Sequence, residues 1–237
     1  MFISEVKFLG ISILEFGTFV SDLIMGLSCL YFYFNLKKLS INKEQKFISH
    51  FYLFLALASV FAAFGHSFFD YFENPMRILS WLCAYFAIYC VLIGSANMIN
   101  NKNLKTVYNR FNVFQLLFFT VFILINPNFN LVKISLAFSL IGILIPLYIV
   151  DTVKYSNTAN MYIFGGICIA CLPALYHTLD FRFGYIFNMN DLSHFILIGC
   201  FYLLFVGLKK RHFSTIVDYE LSRVMEFSSE EKNRLNE

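Results

Sequence analysis

Charge is scarce in this sequence. Of 237 residues only 14% are Asp, Glu, Lys or Arg, while 59% are hydrophobic and 31 are phenylalanine. With a mean hydropathy of +0.66, the composition is that of an integral membrane protein with one helical domain. Cysteine is absent outside the apolar runs: Cys29, Cys83, Cys90, Cys168, Cys171 and Cys200 all fall within them, which argues against an extracellular disulfide framework. The CxxC at Cys168–Cys171 sits among Ile, Ala and Gly and reads as helix packing rather than redox or metal chemistry. There is no small-x-small cleavage site ahead of the first run, and Glu5 and Glu15 interrupt it, so the first helix is expected to be retained. Internal repeats and low-complexity tracts are missing too. The formal net charge of +3 is spread over several loops, without the clustered face that a nucleic-acid binder needs.

What is present is a series of apolar runs, near 15–36, 49–71, 77–98, 110–126, 131–150, 159–179 and 191–208. Each is about long enough to cross the roughly 20-residue hydrocarbon core as a helix. They exceed the alternating segments of about ten residues that a transmembrane barrel uses. The expected fold class is therefore all-α, a bundle of seven transmembrane helices over residues 1–211. Short loops make sequence neighbours antiparallel. Pro146 and Pro173 predict kinks, and Gly165 and Gly166 predict close helix approach. Residues 212–237 read as a cytoplasmic tail, either an amphipathic helix on the membrane surface or a plain solubilising segment.

Loop charge predicts orientation. One set of span ends carries Lys37, Lys38, Lys43, Lys46, Lys102, Lys105, Arg110, Lys154, Lys209, Lys210 and Arg211; the other carries only Lys7, Arg77, Lys133 and Arg182. The positive-inside rule then places the N-terminus outside and the C-terminus in the cytoplasm, which an odd number of spans satisfies. A multi-pass protein of the bacterial inner membrane is the expected setting.

Ionisable side chains inside a span cost about 2.5–3.5 kcal/mol on insertion scales, so their positions carry information. His66, His177 and His194 fall near the outer ends of spans two, six and seven, whereas His50 and His212 fall at the cytoplasmic edge. Each outer histidine has an acid at helical spacing: His66 with Asp70, His177 with Asp180, and Asp191 with His194. Span one adds Glu15, Thr18 and Asp22 on one face. Asp191 or Asn190 also suits a helix N-cap. Together these residues predict a shared site beneath the outer face. Imidazole and carboxylate donors with an open position are the donor set of a catalytic zinc, with His66 and His194 as ligands and Asp191 or His177 as the third.

Three patches resemble the alkaline ceramidases. "EFGTFVSDLIM" at 15–25 looks like their first-span motif, "AFGHSF" at 63–68 their second-span histidine, and "NDLSHFILIGCFYLL" at 190–204 their last span. That family belongs with the adiponectin/progestin receptors to a superfamily of seven-span proteins. The resemblance implies a zinc centre of one span-two and two span-seven histidines, and an N-terminus outside. Carried over, His66 and His194 are ligands, while the first span-seven histidine falls on Asn190 and the span-two serine on Ala62. The family's span-three aspartate has no clear counterpart; Ser80 lies nearest. Glu15 matches an acid of the family's calcium site, but the acidic loop that supplies the other ligands is missing, which argues against calcium.

The expected function is a membrane-embedded, zinc-dependent hydrolase of a lipid amide or ester, with membrane lipid as its partner. Bound water would reach a pKa of about 7 on the metal, and Asp22 or Asp70 would take its proton. The alternative is a non-catalytic lipid-sensing or partner-binding protein that keeps a degenerate site. A transporter using the polar cluster as an ion site lacks the paired broken helices that such folds show.

Overall fold

The computed structural model describes the backbone of residues 5–8, 11–72, 74–155, 158–179 and 189–234, and side chains at 6, 12–72, 74–155, 158–173 and 189–212. A two-stranded antiparallel hairpin opens it, β1 (Glu5–Phe8) pairing with β2 (Ile11–Leu14). Helices then follow: α1 (Phe16–Leu39), α2 (Lys43–Ser67), the single turn α3 (Phe69–Phe72), α4 (Pro75–Ser95), α5 (Lys102–Ile125), α6 (Phe129–Ala137), α7 (Ile145–Tyr155), α8 (Ala159–Leu179) and α9 (Met189–Arg234). Among the described residues six helical stretches are long and apolar enough to cross a membrane, and Ala159–Pro173 is a shorter apolar one. This is an all-α, multi-pass membrane protein. The hairpin had no counterpart in the expected pattern.

Local chemistry sets the helix boundaries. Asn42 accepts the Gln45 backbone N–H at 2.8 Å, Asn101 those of Asn103 and Leu104, and Asn128 that of Asn130; each satisfies an N–H that the first turn leaves unpaired. Pro75 occupies the first turn of α4, where its missing N–H costs nothing.

The kink expected at Pro146 has a specific form. Phe138–Leu144 is a seven-residue π-helical stretch that joins α6 to α7 immediately before the proline. Pro146 offers no N–H to close an α-turn, and widening the preceding turns re-registers the backbone without leaving the helix. Pro173, by contrast, lies inside α8 without ending it.

The main core joins α1, α2, α4, α7, α8 and α9 through Leu36, Tyr52, Leu92, Tyr148, Ile163 and Phe205 among others. Phe32 stacks on Phe205 at 4.8 Å and meets Tyr52 edge-on. Gly166 is where a side chain is excluded: a Cβ there would lie 2.9 Å from the Cys200 carbonyl oxygen on α9. Gly165 has only Leu203 near it, at 3.9 Å, so the close approach expected of the pair rests on Gly166. At the far end Arg211 binds Asp151 and Asn160, tying α9 to α7 and α8. His212 was expected at a boundary. It is buried, with Nδ1 2.8 Å from the Leu208 carbonyl oxygen. All six cysteines are free thiols.

The exposed face of α5 is nearly continuous in Leu, Val, Phe and Ile, from Leu104 to Ile125. Such a surface suits hydrocarbon rather than water. Helix α9 continues unbroken past the last apolar residues to Arg234, so no break in secondary structure marks residue 212.

Candidate functional site

The first turns of α1 and α9 and the last turn of α2 meet at one end of the bundle, under the hairpin. Thr18 donates its hydroxyl to Asp191 Oδ1 at 2.9 Å, and Ser21 Oγ lies 2.9 Å from His194 Nδ1. Positions 18 and 21 on α1 thus face 191 and 194 on α9, in the same order. The two helices run parallel, and the three-residue spacing in each sequence is what lets both pairs form.

Ser21 positions the imidazole: its Oγ lies within hydrogen-bond reach of both the Thr18 carbonyl oxygen, at 3.1 Å, and His194 Nδ1, and the two contacts share one hydroxyl hydrogen. The other ring nitrogen, Nε2, points at Asp22 Oδ1 across 3.4 Å. Neither oxygen of Asp22 accepts a hydrogen bond among the described residues, and the residue is 0% exposed. Asp22 and His194 Nε2 therefore face each other as a buried acid–imidazole pair, the residue types that intramembrane acid–base and relay sites use.

Glu15 organises a second pair nearer the surface. Its carboxylate accepts from Asn190 Nδ2 at 3.2 Å and lies 3.9 Å from His66 Nδ1. The backbone of Glu15 is left-handed, φ 47° and ψ 52°, the one non-glycine residue with positive φ among those described. That conformation costs a side-chain-bearing residue roughly 1–2 kcal/mol. It aims the carboxylate across to α2 and α9 instead of back onto the first turn of α1, where it makes no cap. Arg77 closes this side, donating to the Gly65 carbonyl oxygen at 3.3 Å and stacking on Phe69. Ser12 of the hairpin donates its backbone N–H to the Tyr71 hydroxyl.

Measured against expectation, the structure brings Asp22, Asp191, His194 and His66 to the same end of the bundle, as their spacing implied. It separates Asp70 from them. Helix α2 stops at Ser67, and Asp70 sits exposed on α3 beyond the Phe68 turn, so the i, i+4 pairing with His66 is not formed on one continuous helix. His177 is placed in α8, but its side chain lies outside the described residues, as does Asp180.

The donors for zinc are of the right chemistry but are distributed otherwise. His66 pairs with Glu15 and His194 with Asp22, acids seven residues apart, or roughly 10 Å along a helix. Among the described residues no three His, Cys, Asp or Glu side chains form a metal-holding group. As arranged, the described donors alone do not fit a zinc centre. Sequence reasoning passed over Ser21 and the Glu15–His66 and Glu15–Asn190 contacts. Ser21 was detectable as the polar residue one turn on from Thr18; the Glu15 contacts depend on a backbone twist that no pattern announces.

Residues 17–212 match a sequence family described as a family of unknown function (DUF6962). The chain belongs to that family. The matched span runs from the residue after the first of α1 to the end of the apolar part of α9, so it takes in Asp22, His66, Asp191 and His194. The matched span of this chain thus contains the Asp22–His194 pair, whereas the hairpin lies outside it. No curated protein and no solved structure matches the chain.

Proposed function

We propose that this protein is a membrane-embedded hydrolase of a lipid amide or ester bond, with Asp22 and His194 as its acid–base pair. The observation that carries the reading is a fully buried carboxyl group facing a histidine Nε2 whose ring is held at Nδ1 by Ser21. In this mechanism the Asp22 carboxylate takes a proton from the attacking water and later returns it to the leaving group, while His194, held at Nδ1 by Ser21 and turned with Nε2 toward Asp22, orients and stabilises that carboxylate. Glu15, Asn190 and His66 supply polar partners at the mouth, where the carbonyl of the substrate enters from the bilayer.

The test is release of fatty acid from fluorescent ceramide and acyl-ester lipids in reconstituted vesicles. Wild type is expected to turn over one of them, and Asp22→Asn and His194→Gln to lose about 10²–10⁴-fold, while Asp70→Asn keeps full rate. Absence of turnover on every acyl amide and ester offered ends the proposal. The zinc form of the proposal needs His66 and His194 with Asp191 or His177 around one ion. Equilibrium dialysis against zinc reads it directly: about one ion per chain, lost in His66→Ala, supports it.

One observation favours a second reading. Asp22 is 0% and Ser21 2% exposed, so the pair is closed to a substrate in this conformation. A non-catalytic lipid-sensing or partner-binding protein, in which the polar cluster only locks α1 against α9, fits that burial. It predicts lipid binding without turnover.

We further propose seven spans, N-terminus outside, in a bacterial inner membrane. The parallel register of α1 and α9 supports an odd span count, and the excess of Lys and Arg at the opposite end supports the orientation. Reporter fusions after Leu39 and after Arg234 are expected on the cytoplasmic side.

A further inference from the structure

A cavity of about 450 Å³ opens at the basic end of the bundle, away from the polar cluster, between the starts of α2 and α5 and the end of α4. Its rim holds Lys43, Lys105 and Arg110, against one acid, Glu44. The rest of its lining includes apolar and aromatic side chains, Phe47, Tyr89, Ile93 and Val113. That volume lies in the range of built small-molecule sites, about 300–1,000 Å³.

From this arrangement we propose that the cavity is a binding site for the headgroup of an anionic phospholipid in the leaflet at the basic end. The charges fit a phosphate. Lys43 and Arg110 are exposed, and Lys105 reaches Glu44 at 3.2 Å, which holds its ammonium at the rim. The first turns of two helices, α2 and α5, also converge here, and their positive ends add to the field.

Depth argues for a lipid over a free anion. Val113 lies eleven residues into α5, about 16 Å along the helix from Lys102. It is exposed on the same face as Phe114 and Leu117. The cavity therefore runs from the polar end of the helices to the hydrocarbon-facing side of α5, where acyl chains continue. Basic pockets between helices at this level are the known chemistry of anionic headgroup recognition, with a contribution of about 1 kcal/mol per Lys or Arg.

The experiment is native mass spectrometry of the full chain from micelles that hold equal amounts of phosphatidylglycerol and phosphatidylcholine. Phosphatidylglycerol is expected to be retained in preference. Lys43→Gln and Arg110→Gln, both at exposed positions, each reduce its retention roughly fivefold. Glu44→Gln shifts the other way, because it releases Lys105 from its acid and leaves every cation in place. Inorganic phosphate in excess is expected not to displace the lipid. Equal retention of both lipids, variants that leave the preference unchanged, or displacement by inorganic phosphate would each overturn the proposal, the last by identifying a free-anion site instead.

Discussion

The Asp22–His194 contact makes a quantitative prediction about stability that is independent of any substrate. At 3.4 Å and an effective dielectric constant of about 20, the pair in its charged form, imidazolium against carboxylate, attracts by about 5 kcal/mol. Desolvation consumes most of that, since Asp22 is wholly buried and the His194 side chain is only 13% exposed. What survives is the coupling between the two residues, expected at about 1–3 kcal/mol. A double-mutant cycle with Asp22→Asn, His194→Gln and the pair isolates it, with unfolding followed by far-ultraviolet circular dichroism in detergent titrated with SDS. His194→Gln is expected to be the costlier single change, because it strands a carboxylate among two further acids, Asp191 and Glu15. Asp22→Asn leaves an amide that can still donate to Nε2. If the two single effects add to within about 0.5 kcal/mol, the side chains are not coupled, and the acid–base reading of the site is lost with them.

Three further outcomes follow from the packing. Gly166→Ala places a Cβ 2.9 Å from the Cys200 carbonyl oxygen and 3.0 Å from Leu204 Cγ, so it should destabilise the α8–α9 pair by about 1–3 kcal/mol. Gly199→Ala, with nothing within 4 Å, should be neutral or gain up to about 1 kcal/mol from helix propensity; equal losses in thermal stability would refute the close approach. Both Glu15→Gly and Glu15→Ala remove the contacts to His66 and Asn190, but only glycine accepts the left-handed backbone. The glycine variant should be the more stable by about 1 kcal/mol in chemical unfolding. Arg211→Ala withdraws the guanidinium from Asp151, which is 7% exposed, and should cost about 3–5 kcal/mol, with Arg211→Lys recovering only part because one ammonium cannot span Asp151 and Asn160 as the planar fork does.

Much of the candidate site was legible before any coordinates. Asp191 and His194 stand three residues apart, and Thr18 and Asp22 four, so each pair shares a helix face. An ionised group in a span must find protein or water, which directs those faces toward each other. The pairing itself was not legible. Periodicity says which residues share a side of a helix but not which helix lies opposite, so nothing in the sequence assigned Glu15 to His66 and Asp22 to His194. Asp70 shows the complementary failure: its spacing from His66 has meaning only while the helix continues, and the turn at Phe68 ends it.

The sequence by itself determined that this chain is a bundle of membrane-crossing helices, because hydrophobic length and backbone hydrogen-bonding leave few other structures in hydrocarbon. It also determined which short polar stretches interrupt them. Only the tertiary structure decided that α1 and α9 lie side by side in parallel, and that a left-handed Glu15 turns its carboxylate toward α2. It alone set the cavity between α2, α4 and α5 at the basic end. Each of these depends on contacts between segments far apart in the chain, where the energy of packing, not the preference of any local stretch, selects the partner.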